Sequence, residues 1–391
     1  MSKLTRIYCD LCMTGVFSEV IKKPLFSHYF AFCRKSDIDG EKISEYAAFV
    51  SEIYTSRLSL TELVKKYIFE DENVYVKSKA HNLSLDANVE IAVKRELEVF
   101  SSFASLTPED FRAELNVDYV CPFASEEVDL LPIYEKRVAD IWRVGYGVFS
   151  SYPMFRLSDK GEIVPIVSAD KTTMDKFVGY EDERGRVVEN TVAFIEGRPA
   201  ANVLLCGDAG TGKSSTVKAV ANRFFDKGIR LIELRKDQLS YIPYVMGKIS
   251  ENPLKFIIFI DDLSFNRSDD NFSMLKAALE GSASAKADNA VIYATSNRRH
   301  IIKESFDDRL GNDVHRNDTL QETLSLSERF GLVVLFSKPD KKLYLEIVHK
   351  LAERCGVSMP QDELDIKAEA FALRRGNRSA RCAEQFVESL V

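Results

Sequence analysis

From position 202 onward the chain alternates short apolar runs with amphipathic stretches. The apolar runs are Val203–Cys206, Arg230–Leu234, Phe256–Ile260, Ala290–Ala294 and Leu332–Phe336. Each has the length of a strand, and polar or glycine-containing segments bound them. Runs of this kind, separated by helical segments, predict an α/β fold: a five-stranded parallel sheet with helices on both faces. After Pro339 the strand pattern stops. Tyr344, Ile347, Val348, Leu351 and Cys355 mark one helix, and 380–390 reads as another. A small helical domain is expected to follow the sheet.

Upstream the period changes. Ile43, Tyr46, Ala47, Val50 and Ile53 form one helical stripe, and Leu60, Leu63, Val64 and Tyr67 form a second. Thr107-Pro108-Glu109-Asp110 reads as a helix start, with a capping hydroxyl, a proline in the first turn and acids at the positive end of the dipole. Residues 153–167 read as a hairpin, with a turn at Asp159-Lys160-Gly161 and with Pro165 marking an edge strand. A helix carrying Val187, Val188, Thr191, Val192 and Ile195 comes next and ends at Gly197. The expected organisation is therefore a mainly helical N-terminal domain over 1–150, a parallel-sheet α/β core with its preceding hairpin over 151–338, and a helical domain over 339–391.

Composition narrows the function classes. The 391 residues carry a formal net charge of -7, which argues against nucleic-acid binding through bulk charge. No stretch is long and apolar enough to span a bilayer, and the start lacks the apolar run of a signal peptide, so a soluble cytoplasmic protein is expected. The seven scattered cysteines suit a reducing compartment. Cys9, Cys12, His28 and Cys33 have a spacing that resembles zinc ligands, but Ile7, Leu11, Val16, Phe17 and Phe26 around them read as packed helix.

The chemistry concentrates at Gly207-Asp208-Ala209-Gly210-Thr211-Gly212-Lys213-Ser214, followed by Ser215. This is a complete phosphate-loop pattern between a strand and a helix. Gly207, Gly210 and Gly212 permit the tight turn that aims backbone N–H groups inward. Those groups and the helix N-terminus suit a phosphate chain. Lys213 is expected to reach the terminal phosphates, and the Ser214 hydroxyl to ligate Mg²⁺. The strand Phe256–Ile260 ends in Asp261-Asp262, beyond the strand end where open α/β sheets bind ligands. Asp261 is expected to orient Mg²⁺ and Asp262 to polarise the attacking water. Asn297, at the tip of the next strand, is a candidate for contact with the γ-phosphate or that water.

Together these features resemble an AAA+ ATPase. The stretches Phe177-Val178-Gly179-Tyr180-Glu181-Asp182, Asp261-Asp262-Leu263-Ser264-Phe265, Ala294-Thr295-Ser296-Asn297-Arg298-Arg299-His300 and Leu324-Ser325-Leu326-Ser327-Glu328-Arg329-Phe330-Gly331 resemble an uncharacterised bacterial family of AAA+ ATP-binding proteins, classed as a domain of unknown function. The resemblance covers roughly residues 130–391. It implies that the 339–391 helices form a lid, that Arg329 is an arginine finger inserted into a neighbouring subunit's site, and that Arg381 is the second sensor arginine of the lid, with Arg378 one turn away. A guanidinium suits both roles, since it is always charged and pairs bidentately with phosphate.

One position departs from the pattern. AAA+ enzymes usually carry Asp-Glu at the strand tip, and this chain has Asp261-Asp262. Aspartate is one methylene shorter, a shortfall of about 1.5 Å, and a misplacement of about 1 Å can cost ~10²-fold in rate. The expected function is an Mg²⁺-dependent ATPase that remodels or loads a macromolecular client as a homo-oligomer, the client being protein rather than nucleic acid. The alternative is a slowly hydrolysing, nucleotide-switched scaffold or loader. A GTPase is disfavoured by the lack of an Asn-Lys-x-Asp motif. Arg298-Arg299-His300 with Lys303 forms a basic loop suited to a nucleic-acid backbone, although a solvated loop or a contact with a neighbouring subunit is the stronger reading.

Overall fold

Strand β5 (Lys255–Ile260) shows why this sheet forms. Phe256, Ile257, Ile258, Phe259 and Ile260 point alternately to opposite faces, and all are fully buried. A strand with no polar face is stable only in the interior of a sheet covered on both sides. The computed structural model describes residues 1–35, 40–263, 270–280, 287–297 and 329–391. Its chain divides into two units, Met1–Ser151 and Tyr152–Val391.

Among the described residues the first unit is helical: α1 (Lys3–Leu11), α2 (Pro24–Arg34), α3 (Gly40–Ser56), α4 (Leu60–Phe69), α5 (Val74–Ala80), α6 (Ala87–Ala104), α7 (Pro108–Leu115), α8 (Leu130–Ala139) and α9 (Ile141–Val144). The core is aromatic. Phe26 stacks on Phe103 with ring centroids 4.6 Å apart, and Tyr29 meets Phe103 edge-on at 4.8 Å. The start of α7 is closed from within, since Asp110 Oδ2 accepts from the Thr107 N–H at 2.9 Å and from its hydroxyl at 3.1 Å. Buried Glu96 accepts the N–H groups of Gly15, Val16 and Phe17, which satisfies a turn that lies outside any helix. Of the four residues with zinc-like spacing, His28 pairs through Nδ1 with Glu45 at 2.8 Å, and the Cys33 thiol faces the Leu4 carbonyl.

The second unit is a seven-stranded sheet in the order β2-β1-β4-β5-β6-β3-β7, formed by β1 (Met154–Leu157), β2 (Ile163–Pro165), β3 (Val203–Gly207), β4 (Ile229–Leu234), β5, β6 (Ala290–Ser296) and β7 (Leu332–Phe336). The five expected strands are present and parallel. The expected strand number is corrected to seven, because the 153–167 hairpin joins the sheet. Neighbouring Met154 and Phe155 face opposite sides and both need cover, so β1 pairs parallel with β4. Pro165 sits on the antiparallel edge strand β2.

Helices α10 (Glu181–Ile195) and α11 (Lys213–Arg223) cover one face. Val187 and Phe194 of α10 and Val217 and Val220 of α11 pack with Leu205, Phe259, Tyr293 and Phe336. Two further helices of this unit are α12 (Ile242–Ile249) and α13 (Asp270–Glu280). The chain ends in α14 (Lys341–Arg354), α15 (Gln361–Arg375) and α16 (Ala380–Glu388), which share a core of Tyr344, Ile347, Leu364, Phe386 and Val387. Val178, just before α10, packs into that same core. Among the described residues no helix is long and apolar enough to cross a membrane.

Candidate functional site

The order of the strands locates the site. From β3 the chain moves to β4, steps back through β5 and β6 until it adjoins β3, and then adds β7 on the other side. Direction reverses beside β3, and a crevice opens beyond the C-terminal strand ends there. A cavity of about 590 Å³ occupies this place. Residues 209–215, Asp261, Asp262, Asn297 and Arg381 line it.

The phosphate loop is held to β7. Gly207 has φ 132°, and a Cβ there would lie 2.0 Å from the Phe336 carbonyl oxygen, so only glycine fits. The Asp208 N–H donates to that carbonyl at 3.1 Å, and the Asp208 carboxylate accepts the Lys338 N–H at 2.8 Å. Lys213 is almost fully buried. Its ammonium donates to the carbonyls of Gly207 at 3.0 Å and Asp208 at 2.7 Å, which folds the side chain back along the loop. Burial lowers the Lys213 pKa, and the carboxylates of Asp208, Asp261 and Asp262 act against that shift. The Thr211 hydroxyl donates to the Asp208 carbonyl and closes the turn.

Two acids at the tip of β5 have different surroundings. Asp261 Oδ1 accepts the Ser214 hydroxyl at 2.6 Å and the Thr295 hydroxyl at 2.5 Å. The fold therefore brings the Ser214 hydroxyl and the Asp261 carboxylate into direct contact beside the phosphate loop. Asp262 is exposed and adopts φ 51°, in the left-handed region that aspartate tolerates at some cost. Its N–H donates to Thr295 Oγ1 at 3.0 Å, and its carboxylate accepts from Asn297 Nδ2 at 2.8 Å.

Thr295 was not expected here. It is buried, and its hydroxyl joins Asp261 to the backbone of Asp262. A hydroxyl at an inward position two residues before Asn297 was the signal for it. Arg184 was missed as well. It lines the cavity and sits over the Phe177 ring at 4.4 Å.

The two lid arginines separate in the structure. Arg378 forms a bidentate pair with Glu369, at 3.0 and 2.7 Å. Arg381 lines the cavity, and its N–H donates to the Gly210 carbonyl at 3.4 Å. Arg329 stands just before β7, half-buried, and is not among the residues that line its own chain's cavity. Arg298, Arg299, His300 and Lys303, together with Ser264, Phe265 and 324–328 of the quoted motifs, lie outside the described residues.

The family model described as "Protein of unknown function (DUF815)" matches residues 150–391. The chain belongs to the DUF815 family. This DUF815 chain is 26% identical over 209 residues to chaperone protein ClpB 2 of Parasynechococcus marenigrum (strain WH8102), covering 48% of its own length and 20% of that protein. It is 27% identical over 113 residues to chaperone protein ClpB of Rickettsia bellii (strain RML369-C), covering 24% of the chain and 13% of that protein. The DUF815 chain thus spans a fifth or less of the length of these chaperones. A RuvB Holliday junction branch migration motor of Thermotoga maritima is 16% identical, covers 55% of this chain and 63% of that one, and has a TM-score of 0.38. With its phosphate loop, paired acids and trailing helical lid, the DUF815 chain is an AAA+ P-loop protein.

Proposed function

We propose that this chain binds ATP with Mg²⁺ and hydrolyses it to remodel or load a macromolecular client. The observation that carries the reading is the 2.6 Å contact between Ser214 Oγ and Asp261 Oδ1 at the mouth of the phosphate loop. These two oxygens fit a small hard cation, with Ser214 as ligand and Asp261 as ligand or as acceptor from the cation's waters. When bound, the cation supplies charge neutralisation at the phosphates. The chain's own residues do the rest. Backbone N–H groups of 209–215 and the N-terminus of α11 hold the phosphate chain, and Lys213 turns from the loop carbonyls to the terminal phosphates. Asp262 takes the proton of the attacking water, and Asn297 orients that carboxylate or the water. Arg381 contacts the nucleotide from the lid, and Arg329 serves a neighbouring subunit's site.

A homo-oligomer follows from that role of Arg329, which does not line its own cavity. Similarity to proteins named as chaperones and the net charge of -7 support a protein client over nucleic acid. A second reading, a slowly hydrolysing loader, is favoured by the short acid at 262 and its left-handed backbone. Fluorescent ATP titration with Mg²⁺, followed by single-turnover hydrolysis, tests both. The expected result is binding that Lys213→Ala weakens by roughly ten-fold to over a hundred-fold, the loss of one charge-assisted contact. Unchanged affinity in Lys213→Ala would overturn the nucleotide reading. Turnover no faster than product release from a stable ATP complex would select the loader.

A further inference from the structure

Arg184 is a charged side chain in the cavity that the function proposed above does not use. Arg184 stands on α10 and is 6% exposed. One end of its guanidinium donates to the Gly179 carbonyl, and the plane lies over Phe177 at 4.4 Å and near Tyr180 at 5.8 Å. Two aromatic rings and a carbonyl therefore fix its direction. The other donors are left over. Nε is buried with no hydrogen-bond partner. Nη2 lies 3.9 Å from where a Cβ on Gly212 would stand, so it faces the N-cap of α11. Among the described residues no carboxylate forms an ion pair with it. Glu181, three residues earlier on this helix start, is engaged by the Gly179 N–H at 3.0 Å, and the adjacent Glu183 forms no ion pair with Arg184 among the described residues.

A buried cation with spare donors and no ion-paired carboxylate is costly, and the cost is recovered when an anion arrives. The position names that anion. Gly212 begins the helix whose N-terminus gathers phosphate, and a guanidinium is suited to phosphate oxygens by charge and by its fork of N–H groups. We propose that Arg184 is a nucleotide-contacting residue whose guanidinium pairs with a phosphate group, common to ATP and ADP, on the Gly212 side of the phosphate chain. The inference rests on the nucleotide reading above. Lys213 serves the terminal phosphates, and Arg184 serves a phosphate that ADP retains. The same contact ties the segment 177–180 to the ligand, and Val178 of that segment packs into the core of the lid helices. Burial lowers the Arg184 pKa to about 10, against the raising influence of Glu181, so the group remains a cation at neutral pH.

The test is equilibrium binding of fluorescent ATP and ADP by the full chain carrying Arg184→Met or Arg184→Lys, with the melting temperature of the nucleotide-free proteins read in parallel. Methionine keeps the stem and removes the unpaired charge, so the nucleotide-free melting temperature should hold or rise. Affinity for ATP and ADP should fall by the same factor, about ten- to a hundred-fold. Lysine restores the charge without the fork, so its affinity should lie between the wild type and Arg184→Met. Three results would overturn the proposal: affinities within two-fold of wild type in Arg184→Met, a loss confined to ATP, or equal losses in both variants accompanied by a lower nucleotide-free melting temperature. If Arg184→Met does not fold, Arg184→Gln takes its place, with the same loss expected and wild-type affinity again overturning the proposal. Wild-type protein that binds neither nucleotide defeats the nucleotide reading itself. Wild-type binding with undisturbed Arg184 variants defeats only the role of Arg184.

Discussion

Asn297 Nδ2 donates to the Asp262 carboxylate at 2.8 Å, across the tips of two neighbouring strands. A carboxylate held by a neighbouring amide is an accepting group with one lone-pair direction already in use. The remaining oxygen is the one available to a water in the cavity. The pair thus makes the acid at 262 oriented but shorter than a glutamate, and its left-handed backbone shifts where the carboxylate falls.

Asp262→Asn is expected to keep ATP binding within a few-fold and to stop hydrolysis, because an amide does not accept the proton of the attacking water. Asp262→Glu separates two versions of the site. Faster turnover means that the wild-type acid is simply short. Slower turnover means that the left-handed position 262 and Asn297 are fitted to aspartate. Wild-type turnover in Asp262→Asn, read by phosphate release, removes Asp262 from the mechanism.

Thr295→Val keeps the volume of a buried side chain but deletes the hydroxyl that serves Asp261 and the Asp262 N–H. Asp261 Oδ1 still accepts the Ser214 hydroxyl and the Asp262 N–H, so the loss is that of hydrogen bonds to a charged group and its neighbour, about 1.5–3 kcal/mol. The two acids should then lose their fixed relation, with turnover falling more than about ten-fold. ADP affinity, which depends on the loop and the α11 N-terminus, should stay within about three-fold. A variant that keeps full turnover would show that the Thr295 hydroxyl has only a packing role.

How much of this site was visible before the structure depends on the range of the contacts that build it. The phosphate loop, Asp261, Asp262 and Asn297 announce themselves because each sits at a strand end or helix start whose local pattern is strong. The parallel strands were readable because runs such as Phe256–Ile260 have no polar face. The hairpin's entry into the sheet was not, since nothing local in Met154–Leu157 specifies β4 as a partner 77 residues away, as in the pair Met154↔Leu231 and its neighbours. Arg184 was hidden for the same reason. On α10 it reads as one more charge among Glu181, Asp182 and Glu183 on a polar helix start, and only the approach of Gly212 and Phe177 turns it into a cavity residue. Arg378 and Arg381 are equivalent by spacing, and the bidentate partner Glu369 on another helix tells them apart.

The N-terminal unit carries its own pH dependence. Burial raises the Asp71 pKa from 3.8 to about 6, against a lowering hydrogen bond from Asn73. Glu19 and Glu72 add to the rise, and Lys23 opposes it. A raised carboxyl pKa means that the folded state binds the proton more tightly than the unfolded state. The acid therefore destabilises the fold above about pH 6, and that cost disappears as the pH falls toward the ordinary value of 3.8. Asp71→Asn should raise the melting temperature of this unit at pH 7.5 by roughly 2–4 °C, with the gain closing near pH 4. The single tryptophan, Trp142, lies in α9 of the same unit and reports its unfolding by fluorescence. A gain that is equal at both pH values would show that the ionised carboxylate carries no penalty.

Arg329 is expected to act across a subunit boundary. It precedes β7, on the far side of β3 from β6 and β5, and it does not line its own chain's cavity. An arginine supplied by a neighbour is worth ~10³–10⁵ in phosphoryl-transfer rate. Arg329→Ala alone should bind ATP with wild-type affinity and hydrolyse it poorly. Lys213→Ala alone should bind ATP roughly ten-fold to over a hundred-fold more weakly and hydrolyse little of it. Mixed together, the first variant offers an intact phosphate loop and the second an intact arginine, so sites at mixed boundaries should recover activity that rises with total protein concentration. Exchange of subunits is checked independently by energy transfer between labelled variants. If the subunits exchange and the mixture remains inactive, Arg329 acts within its own chain or serves only to hold β7 in place.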